Sequence, residues 1–225
     1  MRMSGRNLII IAIFKNGHIK TKNFDSSLFV NTTKKFIGKK FAILGDSIST
    51  FQGWLPSDIS DYDGATYATY YKPSGSGNVN SVTKTWWYRM LELLGITPSF
   101  GVVNNCSWSG SKVTGDASST TSASAGCSDR RISDLSIRGY IPDIIIVFIS
   151  CNDWGNNVSV GTWDVNTALP NDASTFRSAY AMMLNKINIA YPKARIFCCT
   201  NLDDVARDRV AGYPPNNTGG VTTYS

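Results

Sequence analysis

The run Ile144-Ile145-Ile146-Val147-Phe148-Ile149 constrains this chain more than any other feature. Its residues are all apolar and mostly β-branched, so they suit a strand but leave no polar face for water. A strand of that composition must be covered on both sides, as interior strands of parallel sheets are. Pro142 and Asp143 mark its start.

Parallel strands need crossover helices, and the flanking sequence supplies them. Phe41-Ala42-Ile43-Leu44 is a short apolar run ending in Gly45-Asp46-Ser47, which reads as a buried strand entering a tight turn. Residues 85–94 carry apolar side chains at helical spacing, with Gly95 placed to cap the helix end. Residues 100–104 form a second expected strand and 130–138 a short helix. Residues 172–191 place Phe176, Tyr180, Met183, Leu184 and Ile187 at helical spacing, and Pro192 closes that segment. Residues 195–199 read as a further buried strand. This order predicts a three-layer α/β/α sandwich around a parallel, flavodoxin-like sheet. Ligands of such sheets sit at the carboxyl ends of the strands. The chemistry is therefore expected just after Gly45, Asn104, Ile149 and Cys199.

The rest of the chain narrows the class. With 225 residues, 42% hydrophobic and 17% charged, it suits one domain with a sizeable core. The net charge of +6 is partly concentrated in Lys34, Lys35, Lys39 and Lys40. These flank the start of a strand and lack interleaved base-reading or stacking partners, so nucleic-acid binding is not expected. The five cysteines show no C-x-x-C spacing and the single histidine, His18, has no companion ligand, which argues against a zinc site. Cys106 and Cys127 bracket a small-residue loop and are read either as a disulfide or as buried small hydrophobes. The apolar stretch 8–14 is short for a signal peptide and lacks a small-residue cleavage site. With Asn16-Gly17 it reads better as the first half of a hairpin, so residues 1–35 are expected to be a short β-rich extension or the remnant of a preceding domain. No run is long enough to span a membrane.

The segments after the first three strands share a chemistry. Ser47, on a strand-to-helix turn, is exposed for nucleophilic attack, and its own N–H can face a developing oxyanion. Gly110 lies in Asn105-Cys106-Ser107-Trp108-Ser109-Gly110, where a glycine lets backbone approach a ligand. Asn152, in Ser150-Cys151-Asn152-Asp153, carries an amide donor. Taken singly, each is ordinary turn chemistry. Asp46 and Asp153 read as supporting groups, Asp153 as a loop brace and not a base.

As a set, Gly45-Asp46-Ser47-Ile48, Gly110 and Asn152-Asp153 resemble the blocks of the SGNH (GDSL) hydrolase family. The resemblance covers roughly residues 36–200, and residues 36–225 would form the hydrolase domain. It implies ester hydrolysis with Ser47 as nucleophile. The Ser47 and Gly110 N–H groups and the Asn152 amide would form the oxyanion hole. It implies no metal or organic cofactor and a small-molecule or polysaccharide ester as substrate. Many members deacetylate carbohydrates or cleave lipid esters, and family habit favours a secreted or periplasmic enzyme.

Two departures stand out. Ser150 occupies a position where the family usually has glycine, and the family's Asp-x-x-His segment is missing. That segment supplies the general base, without which a serine hydroxyl is a weak nucleophile. The expectation is a domain lacking its last strand and helix segment and impaired in catalysis. An alternative is an inactive acyl- or saccharide-binding protein on the same fold. A nucleotide-binding module fits less well, because Gly75-Ser76-Gly77 follows no strand and opens no helix. The insertion after the nucleophile holds Trp54, Tyr62, Tyr67, Tyr70 and Tyr71, which suit either stacking on sugar rings or packing the loop onto the domain. The oligomeric state is not legible in the sequence.

Overall fold

The computed structural model describes residues 9–13, 19–23, 35–56, 69–73, 78–121, 124–164 and 166–199. His18, Tyr62, Tyr67, the Asn16-Gly17 turn, Gly75-Ser76-Gly77 and the tail from 200 lie outside them.

The long apolar run becomes β5 (Ile144–Phe148), which lies parallel to β3 (Phe41–Gly45), in register from Phe41 opposite Ile144 to Gly45 opposite Phe148. On the far side of β3 lies β4 (Val103–Asn105), and on the far side of β5 lies β6 (Arg195–Cys198). The order β4-β3-β5-β6 is that of the flavodoxin-like sheet. Its switch point lies between β3 and β5, whose carboxyl ends are Gly45 and Phe148.

Both faces of these strands are covered, and alternation along the chain decides which residue serves which face. Phe41, Ile43, Ile144 and Ile146 pack with Trp87 and Leu91 of α1 (Trp86–Leu93). Ala42, Leu44, Ile145 and Val147 pack on the other face. There they meet Ile132 of α2 (Asp129–Asp134) and Ala179, Met183 and Ile187 of α4 (Phe176–Ala190). The continuous apolar run is thus two interleaved half-sets, one for each helical layer. α3 (Cys151–Gly155) is a short helix directly after β5.

Local chemistry sets the helix ends. The Thr85 hydroxyl caps α1 by accepting the Tyr88 N–H, and Gly95 (φ +72°) closes it in the left-handed region. α2 is shorter than the spacing suggested. The Ser133 and Ser136 hydroxyls donate to the carbonyls of Arg130 and Ser133, and the chain beyond 134 tightens into successive short turns. α4 begins at Phe176 and not at 172, because the Asp172 carboxylate accepts the Ser174 N–H in an Asx turn. Phe100 is not in a strand: the N–H groups of Val102 and Val103 both turn back to the Ser99 carbonyl. β6 is half-buried, not buried, since it is the last strand of the sheet among the described residues.

At the N-terminus, β1 (Ile9–Ile13) and β2 (Ile19–Asn23) pair antiparallel, as the sequence suggested. No helix of the described residues is long and apolar enough to cross a membrane.

Candidate active site

The carboxyl end of β3 is built around Gly45. A Cβ there would lie 2.6 Å from Ser107 Oγ and 2.6 Å from both side-chain atoms of Ser49, so the turn closes only with glycine. Asp46, 1% exposed, caps the 3-10 turn Ser47–Ser49, its Oδ1 accepting the Ile48 N–H (3.3 Å). Burial pushes the Asp46 carboxyl up from its ordinary value, while hydrogen bonds from Cys151, Ile48 and Ser150 and the nearby Arg131 charge pull the other way. The far end of the turn is held tightly. Ser49 O accepts Trp87 Nε1–H (3.0 Å) and Asn105 Nδ2–H (2.7 Å), and Ser49 Oγ accepts Trp86 Nε1–H (3.0 Å). Thr50 Oγ1 donates to the Ser47 carbonyl (2.7 Å). Ser47 itself is half-buried, and among the described residues no acceptor takes its N–H.

The loop after β4 is tied to the same strand end. Gly45 O accepts the Trp108 N–H (3.1 Å), Arg131 Nη2–H (2.8 Å) and Ser111 Oγ–H (3.4 Å). Asn105 Oδ1 accepts both the N–H and the hydroxyl of Ser107, at 3.2 and 2.6 Å. Gly110 is exposed at φ +81° with open space where a Cβ would stand, so its backbone conformation, not crowding, calls for glycine. Among the described residues its N–H also meets no acceptor.

The third segment completes the ring. Asn152 Nδ2 donates one proton to Ser111 O (2.8 Å), which leaves the second N–H of the same nitrogen. Asp153, fully buried, accepts Val113 N–H (2.6 Å), Thr114 N–H (3.0 Å) and Thr114 Oγ1–H (2.8 Å). It thereby braces the loop that follows Gly110, although burial raises its pKa. The Cys151 thiol donates to Asp46 Oδ2 (3.0 Å). Hydrogen bonds thus tie the three segments together at the switch point of the sheet: Gly45 to Ser111, Ser111 to Asn152, Asp46 to Cys151 and Asp153 to Val113 and Thr114. Donors held this way suit an oxyanion.

The aromatic insertion divides. Trp54 stacks into the α1 side of the core, 5.4 Å from Trp87 and 4.8 Å from Phe100 between ring centroids, so it packs the loop and does not rim the site. Tyr70 and Tyr71 return to the segment just after the Ser47–Ser49 turn. Tyr70 N–H donates to Thr50 Oγ1 (2.9 Å) and Gln52 N–H to Tyr71 O (2.9 Å). The two rings meet edge-on at 4.9 Å, with Tyr70 60% exposed. Burial, Tyr70 and Asp46 together raise the Tyr71 phenol. Arg131, Asn105 and Trp86 escaped sequence reasoning as parts of this frame. Asn105 at an inward strand end was the one legible signal, since a buried amide must find partners.

All five cysteines are free. Cys106 and Cys127 are buried small hydrophobes whose thiols donate to Asp134 O (3.0 Å) and Gly115 O (3.9 Å), and burial pushes Cys127 up to about 11. A cavity lined by Gly115, Asp116, Asp129, Asp172 and Lys186 includes none of the strand-end residues. Its Lys186 ammonium is engaged by Asp129 and the carbonyls of Ala117 and Cys127.

Residues 39–211 match the family model of GDSL-like lipases/acylhydrolases. The chain is 30% identical to a candidate GDSL-like lipase from Bacteroides ovatus ATCC 8483, over 70% of either chain, with a TM-score of 0.51. A similar candidate from Bacteroides uniformis ATCC 8492 is 29% identical over 74% of this chain and 73% of its own, with a TM-score of 0.49. No match is found among curated proteins.

Proposed function

The chain belongs to the GDSL-like lipase/acylhydrolase family, a family of hydrolases, and from that premise we propose that Ser47 is the nucleophile of a carboxylic ester hydrolase. Attack of Ser47 Oγ on the ester carbonyl forms a tetrahedral oxyanion. The N–H groups of Ser47 and Gly110 and the free N–H of Asn152 receive that charge. Collapse expels the alcohol and leaves the acyl group on Ser47, which water then removes. The observation that carries this reading is the hydrogen bond from Asn152 to Ser111 O, next to Gly110, together with the bond from Ser111 Oγ to the end of the nucleophile strand. It holds the three donor segments in one frame before any substrate arrives, as electrostatic stabilisation requires.

For the ester substrate, the acyl donor to Ser47, we favour O-acetylated carbohydrate. The exposed Tyr70 ring supports this, since the Tyr70 backbone N–H is pinned to Thr50 beside the nucleophile turn and the ring is open to a sugar face. The proton of Ser47 needs a base, and no histidine lies among the described residues. That favours weak turnover by these residues alone. It also keeps the second reading in play, a saccharide- or acyl-binding protein that retains the donors without the base.

The experiment is acetate release from p-nitrophenyl acetate and from acetylated saccharide, parent against Ser47→Ala. The expected result is loss of all enzyme-dependent turnover in the variant. Turnover unchanged in Ser47→Ala sinks the nucleophile assignment. Saturable calorimetric binding of acetylated saccharide without acetate release favours the binding protein.

A further inference from the structure

The five-residue helix α3 is too short to hold its own direction by internal hydrogen bonding, so side-chain anchors must place it. Two anchors tie it to the loop that follows Gly110. Asn152 reaches Ser111 O, and Asp153 reaches Val113 and Thr114. A third ties it to the turn after β3: Cys151, the first residue of the helix, donates its thiol proton to Asp46 Oδ2 at 3.0 Å. The other oxygen of the same carboxylate accepts the Ile48 N–H. One carboxylate therefore stands between the residue after Ser47 and the residue before Asn152.

We propose that Cys151 is a positioning residue, whose thiol, through Asp46, sets the spacing between the nucleophile turn and the loop carrying Asn152. The proposal rests on the reading of Ser47 and Asn152 given above. Its physical basis is the burial of the intermediary. Asp46 is 1% exposed, so water does not readily replace a lost donor. A buried carboxylate oxygen short of a partner shifts toward another donor, and the turn it caps shifts with it. The Ser150 N–H reaches the same carboxylate from the backbone one residue ahead of the helix, so Cys151→Ala removes the side-chain anchor and leaves the backbone one. Misplacement by a fraction of an ångström matters because oxyanion donors act over short distances.

The test compares Cys151→Ala and Cys151→Ser in the full chain, with Ser47→Ala as control. Expected for Cys151→Ala is a fall in kcat on the order of 10-fold with KM and melting temperature unchanged. Cys151→Ser, which keeps a donor, retains most of the rate. Amide exchange adds a readout independent of turnover: the Ile48 N–H exchanges faster in Cys151→Ala than in the parent or in Cys151→Ser. Parental kcat and parental Ile48 exchange in Cys151→Ala overturn the proposal. So does an equal fall in both variants that follows melting temperature, which marks a general packing role. If the parent shows no turnover dependent on Ser47, the esterase reading falls, and the exchange measurement still decides whether the thiol holds the turn.

Discussion

One methyl group at position 45 would collide with Ser49 and Ser107, both fully buried. The neighbours cannot swing aside, because Ser49 Oγ accepts Trp86 Nε1–H and Ser107 Oγ donates to Asn105. Gly45→Ala is therefore expected to destabilise the fold by about 1–3 kcal/mol, the usual range for overpacking. Thermal unfolding would show this, and an unchanged melting temperature would mean the turn relaxes freely. Gly110 is glycine for a different reason, a positive φ with open space around it. The sequence presents both as a glycine after a strand. It does not distinguish a crowded glycine from a left-handed one, since that depends on residues far along the chain. Asp153 was legible as a loop brace, but its partners Val113 and Thr114, some 40 residues away, were not.

At the scale of elements, the start of β5 is locked to the start of β3 by Asp143. Its carboxylate accepts the Lys40 N–H (3.0 Å) and pairs with Lys39 Nζ (2.9 Å). The Lys40 backbone bond and the Lys39 partner hold this carboxyl below its ordinary value of 3.8. A depressed folded-state value stabilises the fold above the ordinary carboxylate range, and that contribution fades as pH falls through the folded value. Asp143→Asn is thus expected to lower the melting temperature modestly at neutral pH, because the ion pair is partly exposed and screened. The difference should vanish in acid well below the carboxylate range. A gap that persists there would assign the effect to geometry and not to charge. Helix existence was readable from spacing, but helix ends were not. The start of α4 was taken by an Asx turn at Asp172 and the end of α2 by serine hydroxyls bonding back to carbonyls. These local competitions between side-chain and backbone hydrogen bonds leave no periodic trace.

At the scale of the whole molecule, two apolar layers sandwich one sheet, and Ile145 is fully buried in the layer shared with α2 and α4. Ile145→Ala should cost about 2–5 kcal/mol through lost burial and an unfilled cavity. Denaturant unfolding would measure it, and a cost below about 1 kcal/mol would mean that the sheet face collapses around the gap. The unbroken run 144–149 pointed by itself to a strand covered on both sides, because it is short, mostly β-branched and leaves no polar face for water. The alternation of strands and helices determined the sandwich, and the glycine, serine and asparagine at the strand ends indicated where to look for chemistry. Only the tertiary structure decided how those strand ends are tied. The Asn152–Ser111 and Cys151–Asp46 bonds, the three donors on Gly45 O and the pinning of Tyr70 to Thr50 all join residues separated by about 20 to 105 positions. Periodicity reports which face of an element is apolar. It carries no information on which polar groups meet across the end of a sheet, since that follows from strand order and register.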